Sequence, residues 1–298
     1  MSALVLLGAL AAAMALVGSP SSAGAGPLSL PHPVPHSAVH YSEPPLKVLL
    51  VGDSMAGSLG VGLGELSAAY HVQLANAGAP GCSLSMDGQI VLTYFVDPPG
   101  APCVLNRPAR LLAVWQSWVD AFRPDVVVYV ARSDLLDQQL HGQLTNVGHR
   151  RFNEWFAARL GAGIRVLGSR GARVVLMTVP VSTEPTVHSR PQDNPIRVAR
   201  DGAILRLAAA AAPGVASVYD LSQLLTPGFA YRSSANGLVL RCADGVHLTA
   251  EAGIVVATDL YPRLWALADG HRVAGGGHWA LGPFPSSTPP WYAKLSCP

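Results

Sequence analysis

A serine and an aspartate–histidine pair, far apart in the chain, have the side chains that nucleophilic catalysis needs. Ser54 follows an apolar run typical of a buried strand, at the point where a helix can begin. Asp244 and His247 are three residues apart, so their side chains can meet. A serine hydroxyl needs a neutral imidazole to take its proton, and the imidazole needs a carboxylate to fix its tautomer. These residues predict a Ser–His–Asp triad, provided that the fold brings them together.

The predicted position of Ser54 supports this hypothesis. A residue between a parallel strand and a helix lies at the carboxyl edge of the sheet, where open α/β folds place their sites. Its N–H lies at a helix N-terminus, where a developing negative oxygen is stabilised. The simpler interpretation is that Ser54 only caps the helix and that His247 is a surface histidine in a turn. The presence of both signals in one chain favours the catalytic interpretation.

Four short segments resemble the sequence blocks of the SGNH (GDSL-like) hydrolase family. Gly52-Asp53-Ser54 matches the first block, and Asp244-x-x-His247 matches the last. Residues 76–81 resemble the second block. The third block normally has Gly-x-Asn-Asp, where this chain has Ala131-Arg132-Ser133-Asp134. The resemblance extends over residues 47–265.

The resemblance implies roles for further residues. The N–H groups of Ser54 and Gly81 would bind the negative oxygen of the tetrahedral intermediate, the oxyanion. Ser133 stands where the family has an asparagine donor, and its hydroxyl is a shorter and weaker donor. This change implies a slower enzyme, or one in which Arg132 or Ser133 is the substitute donor. The residues expected to support the site are Asp53, Arg132 and Gly78.

The function that the resemblance implies is that of an extracytoplasmic serine esterase acting on O-acyl esters of carbohydrate or lipid. The Asp-Gly-Val-His motif, the N-terminal segment and the cysteines make the chain most similar to SGNH-like domains of membrane acyltransferases that O-acylate surface glycans. Two alternatives stay open. One is an O-acetyltransferase of cell-envelope glycan that works with a membrane acyl-donor protein, and the other is a catalytically silent glycan-binding domain. No metal or cofactor is expected, because no ligand set accompanies the triad.

Composition predicts one large domain without a nucleic-acid partner. Of the 298 residues, 50% are hydrophobic and 13% are charged, so a core of ordinary size is easily built. The net charge is +2, and no basic run is interleaved with aromatic residues. Residues 46–298 are therefore predicted to form an SGNH hydrolase-like domain that ends in an aromatic tail.

The N-terminal part of the chain predicts a location outside the cytoplasm, secreted or anchored to the outer face of the membrane. No Asp, Glu, Lys or Arg precedes Glu43, and residues 2–17 are almost wholly apolar. Residues 1–25 are predicted to be a signal peptide or an N-terminal membrane anchor, although the run is short for a full span. A third interpretation is the last membrane helix of a longer ancestral protein. Residues 26–45 are predicted to be a Pro-rich linker, whose prolines prevent a helical metal-binding face of its histidines, His32, His36 and His40.

Four cysteines agree with an oxidising compartment. The preferred pairing joins Cys82 to Cys103 and Cys242 to Cys297. The first disulfide would close a loop directly after the second block, and the second would tie the C-terminal tail beside the last block. The other pairings, and buried free thiols, stay open.

Apolar runs alternate with helical patterns from residue 47 onward. Strands are predicted at residues 48–51, 71–75, 126–130, 174–178 and 215–219. Helices are predicted at residues 55–70, 108–122, 146–168, 196–212 and 250–267. This alternation indicates a parallel sheet with right-handed crossovers and helices on both faces. The predicted fold is a three-layer α/β/α sandwich with a central, mainly parallel five-stranded sheet, the flavodoxin-like fold of the SGNH hydrolases.

The first predicted helix is rich in glycine, which costs about 1 kcal/mol per residue against alanine. Close packing of this helix on the sheet explains the glycines better than a phosphate cradle, because no Gly-x-x-x-x-Gly-Lys-Ser/Thr pattern is present. The four residues are Gly57, Gly60, Gly62 and Gly64.

Two long loops are predicted to flank the site. Residues 81–106 carry apolar and aromatic side chains, which indicates an ordered insertion. Residues 221–241 lead directly into Asp244 and can form the other wall of a groove. The tail, residues 271–298, is aromatic enough to pack on the domain, and sugar stacking is the less favoured interpretation of its aromatic residues.

Overall fold

The computed structural model describes residues 43–85, 89–90, 108–140, 142–183, 194–276, 288–295 and 297. The predicted signal or anchor segment, the linker histidines and most of the insertion after Gly81 lie outside this part of the chain. Within the described part, no helix combines the length and apolar character that a membrane crossing requires. The predicted domain boundaries stay predictions.

A five-stranded parallel sheet lies at the centre of the molecule. The strands of the described residues are β1 (Leu46–Gly52), β2 (Val72–Asn76), β3 (Gln89–Ile90), β4 (Val126–Val130), β5 (Gln138–Leu140), β6 (Gln143–Thr145), β7 (Arg173–Met177), β8 (Ala216–Tyr219), β9 (Ser234–Ala235) and β10 (Leu238–Val239). The central sheet has the order β2-β1-β4-β7-β8, and all its neighbours are parallel. Every residue of β4 is buried, as its continuous apolar sequence predicts. The predicted sheet is confirmed.

Helices cover both faces of this sheet. They are α1 (Ser54–Ser67), α2 (Pro108–Phe122), α3 (Arg150–Leu167), α4 (Pro195–Ala210), α5 (Leu221–Leu225) and α6 (Ala250–Ala268). Alternate residues of β1 point to opposite faces. Met55 of α1 and Val256 of α6 are buried in the core on one face, and Trp115 of α2 and Phe156 of α3 in the core on the other. The predicted three-layer sandwich is therefore confirmed.

Two small antiparallel sheets, β3-β5-β6 and β9-β10, were not predicted. Their strands have only two or three residues, too few to show a period of two. Helix α3 begins at Arg150, four residues later than the pattern predicts. The cause is Asn146, whose side-chain oxygen accepts the N–H of Gly148 at 2.8 Å. Such a local bond competes with the helix.

The glycines of α1 permit very close packing. A Cβ at Gly62 would lie 2.6 Å from the Cα atom of Gly253 on α6, and a Cβ at Gly60 would lie 2.2 Å from the side chain of Asn76. The predicted packing on the sheet is confirmed for Gly60, which lies against the end of β2, whereas Gly62 packs against α6 instead. This packing fixes α1, and with it Ser54, between α6 and the end of β2.

Candidate active site

Ser54 is the first residue of α1, directly after the turn that follows β1. Gly52 makes this turn with a φ of +137°, and a Cβ there would lie 1.8 Å from the carbonyl oxygen of Val130. The helix is capped by Asp53, whose Oδ1 accepts the N–H of Met55 at 2.8 Å. The interpretation of Ser54 as the N-cap is therefore wrong. Its half-buried side chain has no capping role.

Asp244 and His247 meet as their spacing predicts. Nδ1 of His247 lies 2.5 Å from Oδ2 of Asp244. The other carboxylate oxygen of Asp244 accepts the N–H groups of Val246 at 2.8 Å and of His247 at 3.0 Å. Burial works to raise the pKa of Asp244, but the hydrogen bond and charge of His247 and the two N–H donors together lower this pKa to about 2. Asp244 is thus an anion at any working pH and fixes the orientation of the ring.

A buried arginine holds the loop that carries this pair by hydrogen bonds to backbone carbonyls. Nη1 of Arg241 donates to the carbonyl of Val246 at 2.6 Å, and its Nη2 donates to the carbonyl of Val181 at 3.0 Å. Burial lowers the pKa of Arg241 to about 10, which leaves it a cation at neutral pH. Gly245 has a φ of +68°, and a Cβ there would lie 1.8 Å from the carbonyl oxygen of Thr183. The loop therefore requires glycine at this position.

His247 lies beside the first two turns of α1. The N–H of the next residue, Leu248, donates to Oγ of Ser58 at 3.2 Å, and Ser58 is about one helical turn after Ser54. The structure thus brings Ser54 and His247 to the same end of one helix. Nε2 of His247 is buried and forms no hydrogen bond to the described residues, so the Ser54–His247 bond is not formed here. Catalytic hydrogen bonds are often long without substrate and tighten in the complex.

The second block packs against both β1 and α1. The side-chain nitrogen of Asn76 donates to the carbonyl of Gly57 at 2.9 Å, and its oxygen accepts the N–H of Gly78 at 3.2 Å. The N–H of Ala79 donates to the carbonyl of Gly52 at 3.0 Å. Because the N–H of Gly78 is already used, an oxyanion donor from this block has to be another residue. Gly81, with a φ of +75°, stays the predicted donor.

Ser133 is bound to Asp53 instead of being presented to a substrate. Both its N–H and its hydroxyl donate to Oδ2 of Asp53 at 2.6 Å, and only 8% of the residue is exposed. A hydroxyl has one proton to donate, so Ser133 cannot serve Asp53 and an oxyanion together. The predicted donor role of Ser133 does not fit this geometry. Nε of Arg132 donates to Oγ of Ser182 at 2.9 Å, which directs this side chain to the loop after β7.

Two buried carboxyl groups lie in or near this part of the site: Asp134, the last residue of the third block, and Asp201, which sequence patterns did not indicate. Asp134 accepts the N–H of Ser85 at 3.0 Å and the hydroxyl of Tyr129 at 2.5 Å, and Tyr129 accepts the N–H of Leu84 at 3.0 Å. Burial raises the pKa of Asp134 to about 6, against the lowering effect of these bonds. Burial, and then the charge of Asp134, raise the pKa of Asp201 well above its usual range. The sequence held one signal for the bond to Asp134: Tyr129 lies inside an apolar strand, and a buried tyrosine hydroxyl needs a hydrogen-bond partner.

The described end of the C-terminal tail, residues 288–295 and 297, packs on the domain, as predicted, and reaches the candidate site. Cys297 forms the predicted disulfide with Cys242. The hydroxyl of Tyr292 donates to the carbonyl of the residue after His247 at 3.2 Å. The rings of Trp291 and His247 lie 5.8 Å apart between centroids. Trp291 is a site residue that sequence reasoning missed, because a contact between such distant positions leaves no local pattern.

Two further predictions concern the walls of the site. Cys82 is buried, but its predicted partner Cys103 lies outside the described residues, so this disulfide stays a prediction. Residues 221–241 do lie beside the last block, but they contain α5, β9 and β10 and are not the single long loop that was predicted. A Cβ at Gly245 would be 3.3 Å from the hydroxyl of Tyr231 in this segment.

The fold and the site define an α/β enzyme domain with a serine at the carboxyl edge of a parallel sheet. The sequence model of the family described as "SGNH domain (fused to AT3 domains)" matches residues 28–262. The chain belongs to this family. Its enzyme class is accordingly that of the SGNH-type hydrolases or acyltransferases.

Several solved structures resemble this chain in fold. TesA has a TM-score of 0.46 and 17% identity, over 74% of this chain and 99% of its own. The acetyl xylan esterase AlAXEase has a TM-score of 0.44 and 20% identity, over 73% and 99%. The periplasmic domain of the lipopolysaccharide acetyltransferase of Salmonella ser. Paratyphi A has a TM-score of 0.46 and 15% identity, over 76% and 83%. No curated protein sequence matches the chain. The family assignment rests on the family model.

Proposed function

We propose that the chain is an extracytoplasmic serine esterase that cleaves O-acyl esters, acetyl esters above all, of carbohydrate or lipid. Ser54, His247 and Asp244 form its triad. The observation that carries this proposal is the 2.5 Å hydrogen bond between Asp244 and His247 at the end of the helix that begins with Ser54. An imidazole whose Nδ1–H is held by an ionised carboxylate keeps the lone pair on Nε2, where a base is needed.

The reaction proceeds through an acyl-enzyme. Oγ of Ser54 attacks the ester carbonyl carbon, and Nε2 of His247 takes the hydroxyl proton as the new C–O bond forms. When the tetrahedral intermediate collapses, the bond to the alcohol breaks and His247 gives the proton to the leaving oxygen. Water then attacks the acyl group on Ser54, again with His247 as base, and releases the acid. Asp244 stays ionised and stabilises the imidazolium.

The negative oxygen of the intermediate is bound by backbone N–H groups of Ser54 and Gly81. Helix α1 supports this role, because its N-terminal end carries a partial positive charge. Asn76 holds the second block against α1. Loss of one oxyanion donor typically costs about 10²–10³ in rate. Ser133 becomes a third donor only if its hydroxyl leaves Asp53, whereas Arg132 is not limited in this way, because a guanidinium has five N–H donors.

A second candidate is an O-acetyltransferase of cell-envelope glycan, in which a sugar hydroxyl replaces water in the second step. One observation favours it: the matching family is described as fused to AT3 domains. The acyl group would then be supplied by a membrane acyl-donor protein.

The test is turnover by the purified full chain of 4-nitrophenyl acetate, butyrate and octanoate, with and without a glycan acceptor. We expect Ser54→Ala to abolish turnover and Ser67→Ala, at the other end of the same helix, to leave it unchanged. Release of free acid supports the esterase, and acyl transfer to glycan supports the transferase. Absence of turnover together with absence of labelling by a serine-reactive phosphonate would contradict both and leave a silent glycan-binding domain.

The extracytoplasmic location is supported by the apolar N-terminal segment and by the Cys242–Cys297 disulfide. Disulfides persist in oxidising compartments. Mass spectrometry of the alkylated chain, isolated without reductant, should show both cysteines protected, and reduction should expose them. Free thiols at both positions in freshly isolated protein would contradict this location.

A further inference from the structure

Trp291 lies where the three parts of the candidate site meet. A Cβ at Gly57 would be 2.3 Å from Cζ2 of Trp291 and 3.1 Å from the carbonyl oxygen of Gly78. The ring of Trp291 is also 5.8 Å from the ring of His247, tilted by 53°. One indole therefore borders the nucleophile helix, the second block and the histidine loop.

The indole rests on the side of α1 that carries Ser54. Residues three apart on a helix lie on the same side, as Ser54 and Gly57 do. A glycine inside a helix costs about 1 kcal/mol against alanine. Here the missing side chain makes room for the indole, because any Cβ at position 57 would collide with it. Gly57 and Trp291 thus form a matched pair in the wall of the site.

The tail holds this indole firmly without burying it. Cys242–Cys297 ties the tail covalently to the last block, and the hydroxyl of Tyr292 binds the backbone beside His247. Tyr292 and Cys242 belong to a small apolar cluster under the tail. Trp291 itself remains partly exposed. A rigid, half-exposed aromatic ring is suited to binding a ligand, because little conformational entropy is lost on contact.

The position beside His247 determines which part of an ester the ring would contact. His247 returns its proton to the leaving alcohol, so groups next to its ring face the alcohol side, whereas the carbonyl oxygen points to the N–H groups of Ser54 and Gly81. We propose that Trp291 selects the alcohol part of the substrate, a pyranose ring whose apolar C–H face stacks on the indole. This inference rests on the proposed function and specifies its substrate as a glycan ester. In the transferase reaction the acceptor sugar occupies the same place.

The experiment compares two acetate esters that differ only in the alcohol: ethyl acetate and a methyl 6-O-acetylglucopyranoside. For Trp291→Ala we expect kcat/KM for the glycoside to fall by about tenfold or more, and kcat/KM for ethyl acetate to stay within about twofold. Trp291→Phe should retain most of the glycoside activity. The ratio of kcat/KM for 4-nitrophenyl acetate to that for the butyrate should not change, because in this proposal Trp291 contacts only the alcohol part. With a glycan acceptor present, the ratio of acyl transfer to hydrolysis should be lower in Trp291→Ala than in the parent chain.

Trp155→Ala is the matched control, because Trp155 packs with Phe152 in the core on the opposite face of the sheet. It should leave the ratio of the two esters unchanged. In Trp291→Leu an aliphatic side chain packs against Gly57 but offers no aromatic face to a sugar. Thermal unfolding shows whether each variant folds. An equal loss on both esters, or a changed acyl preference with an unchanged ester ratio, would overturn the inference. Turnover that survives Ser54→Ala would instead overturn the proposed function.

Discussion

The two sides of Ser54 are built in different ways. On the acid–base side, residues 241–249, side chains supply the chemistry: the bond between Asp244 and His247 is formed, and a disulfide and a buried arginine hold the loop. On the oxyanion side, residues 76–85 and 131–135, side chains hold the backbone in place. Ser133 is the clearest case, because its hydroxyl is bound to Asp53.

This difference indicates how each side would respond to substitution. A change of a triad side chain removes a group that takes part in the reaction. A change on the oxyanion side acts through the position of backbone N–H groups, or through stability alone. Ser133, at the position of the family's asparagine, is then expected to act through its bond to Asp53, and so through stability, instead of as an oxyanion donor.

The largest effect is expected for Asp244→Asn. The amide cannot hold the Nδ1–H tautomer of His247, so we expect kcat for 4-nitrophenyl acetate to fall by about 10⁴. Asp259→Asn is the control, because Asp259 pairs with Arg263 on the surface of α6. A loss below about tenfold in Asp244→Asn would remove the acid–base side from the mechanism.

A smaller loss is expected for Gly78→Ala on the oxyanion side. The new Cβ would lie 2.2 Å from the backbone nitrogen of Gly57, so the second block has to move away from α1. We expect kcat to fall by about 10²–10³, the cost of one oxyanion donor. Gly161→Ala is the control, since its nearest neighbour beyond its own helix backbone is an arginine side chain at 3.7 Å. Unchanged activity in Gly78→Ala would show that the second block does not position a donor.

Ser133→Ala separates the two explanations of the third block. If the hydroxyl serves only Asp53, kcat should change by no more than about threefold, while the free energy of unfolding falls by about 1.5–3 kcal/mol for a lost bond to a charged group. Steady-state assays give kcat and urea unfolding gives the free energy of unfolding, both on the same preparation. A fall of kcat by about 10² or more at nearly unchanged stability would make Ser133 an oxyanion donor after all.

The smallest effect on catalysis is expected for Asp201→Asn, which should change only stability. Burial raises the pKa of Asp201, so the folded chain holds its proton to a higher pH than the unfolded chain. Stability from this carboxyl is therefore present at low pH and is lost as the pH rises above the unfolded value. The Tm of Asp201→Asn should equal that of the parent at pH 4 and exceed it at pH 8. The exposed Asp269→Asn should show no such trend, and a parallel trend in both variants would exclude the burial effect.

Sequence patterns predicted the main strands and helices and the Asp244–His247 pair, because these features depend on residues that are close together in the chain. The run at 126–130 forms a fully buried strand, and the spacing of Asp244 and His247 brings their side chains together within one turn. The glycines of the first helix predicted its close packing, which the structure shows at Gly57, Gly60 and Gly62. Each of these features depends on neighbours in the chain or on the period of one element.

The parts that sequence could not predict depend on contacts between distant residues. Ser133 matches the asparagine position by alignment, yet its hydroxyl is bound by Asp53, 80 residues earlier. Trp291 was one of several aromatic residues in the tail, and only the structure places it over Gly57 and beside His247. Helix α3 begins late because a single side chain, Asn146, forms a competing bond.

The central claim is that His247 activates Ser54, and the rate of covalent phosphonylation tests it most directly. The full chain and its His247→Ala variant are treated with a fluorophosphonate, and the label is located by peptide mass spectrometry. We expect one label on Ser54 in the parent chain and a labelling rate at least about 10³ lower in the variant. Equal labelling rates in both proteins, or no label on Ser54 in the parent, would contradict this claim.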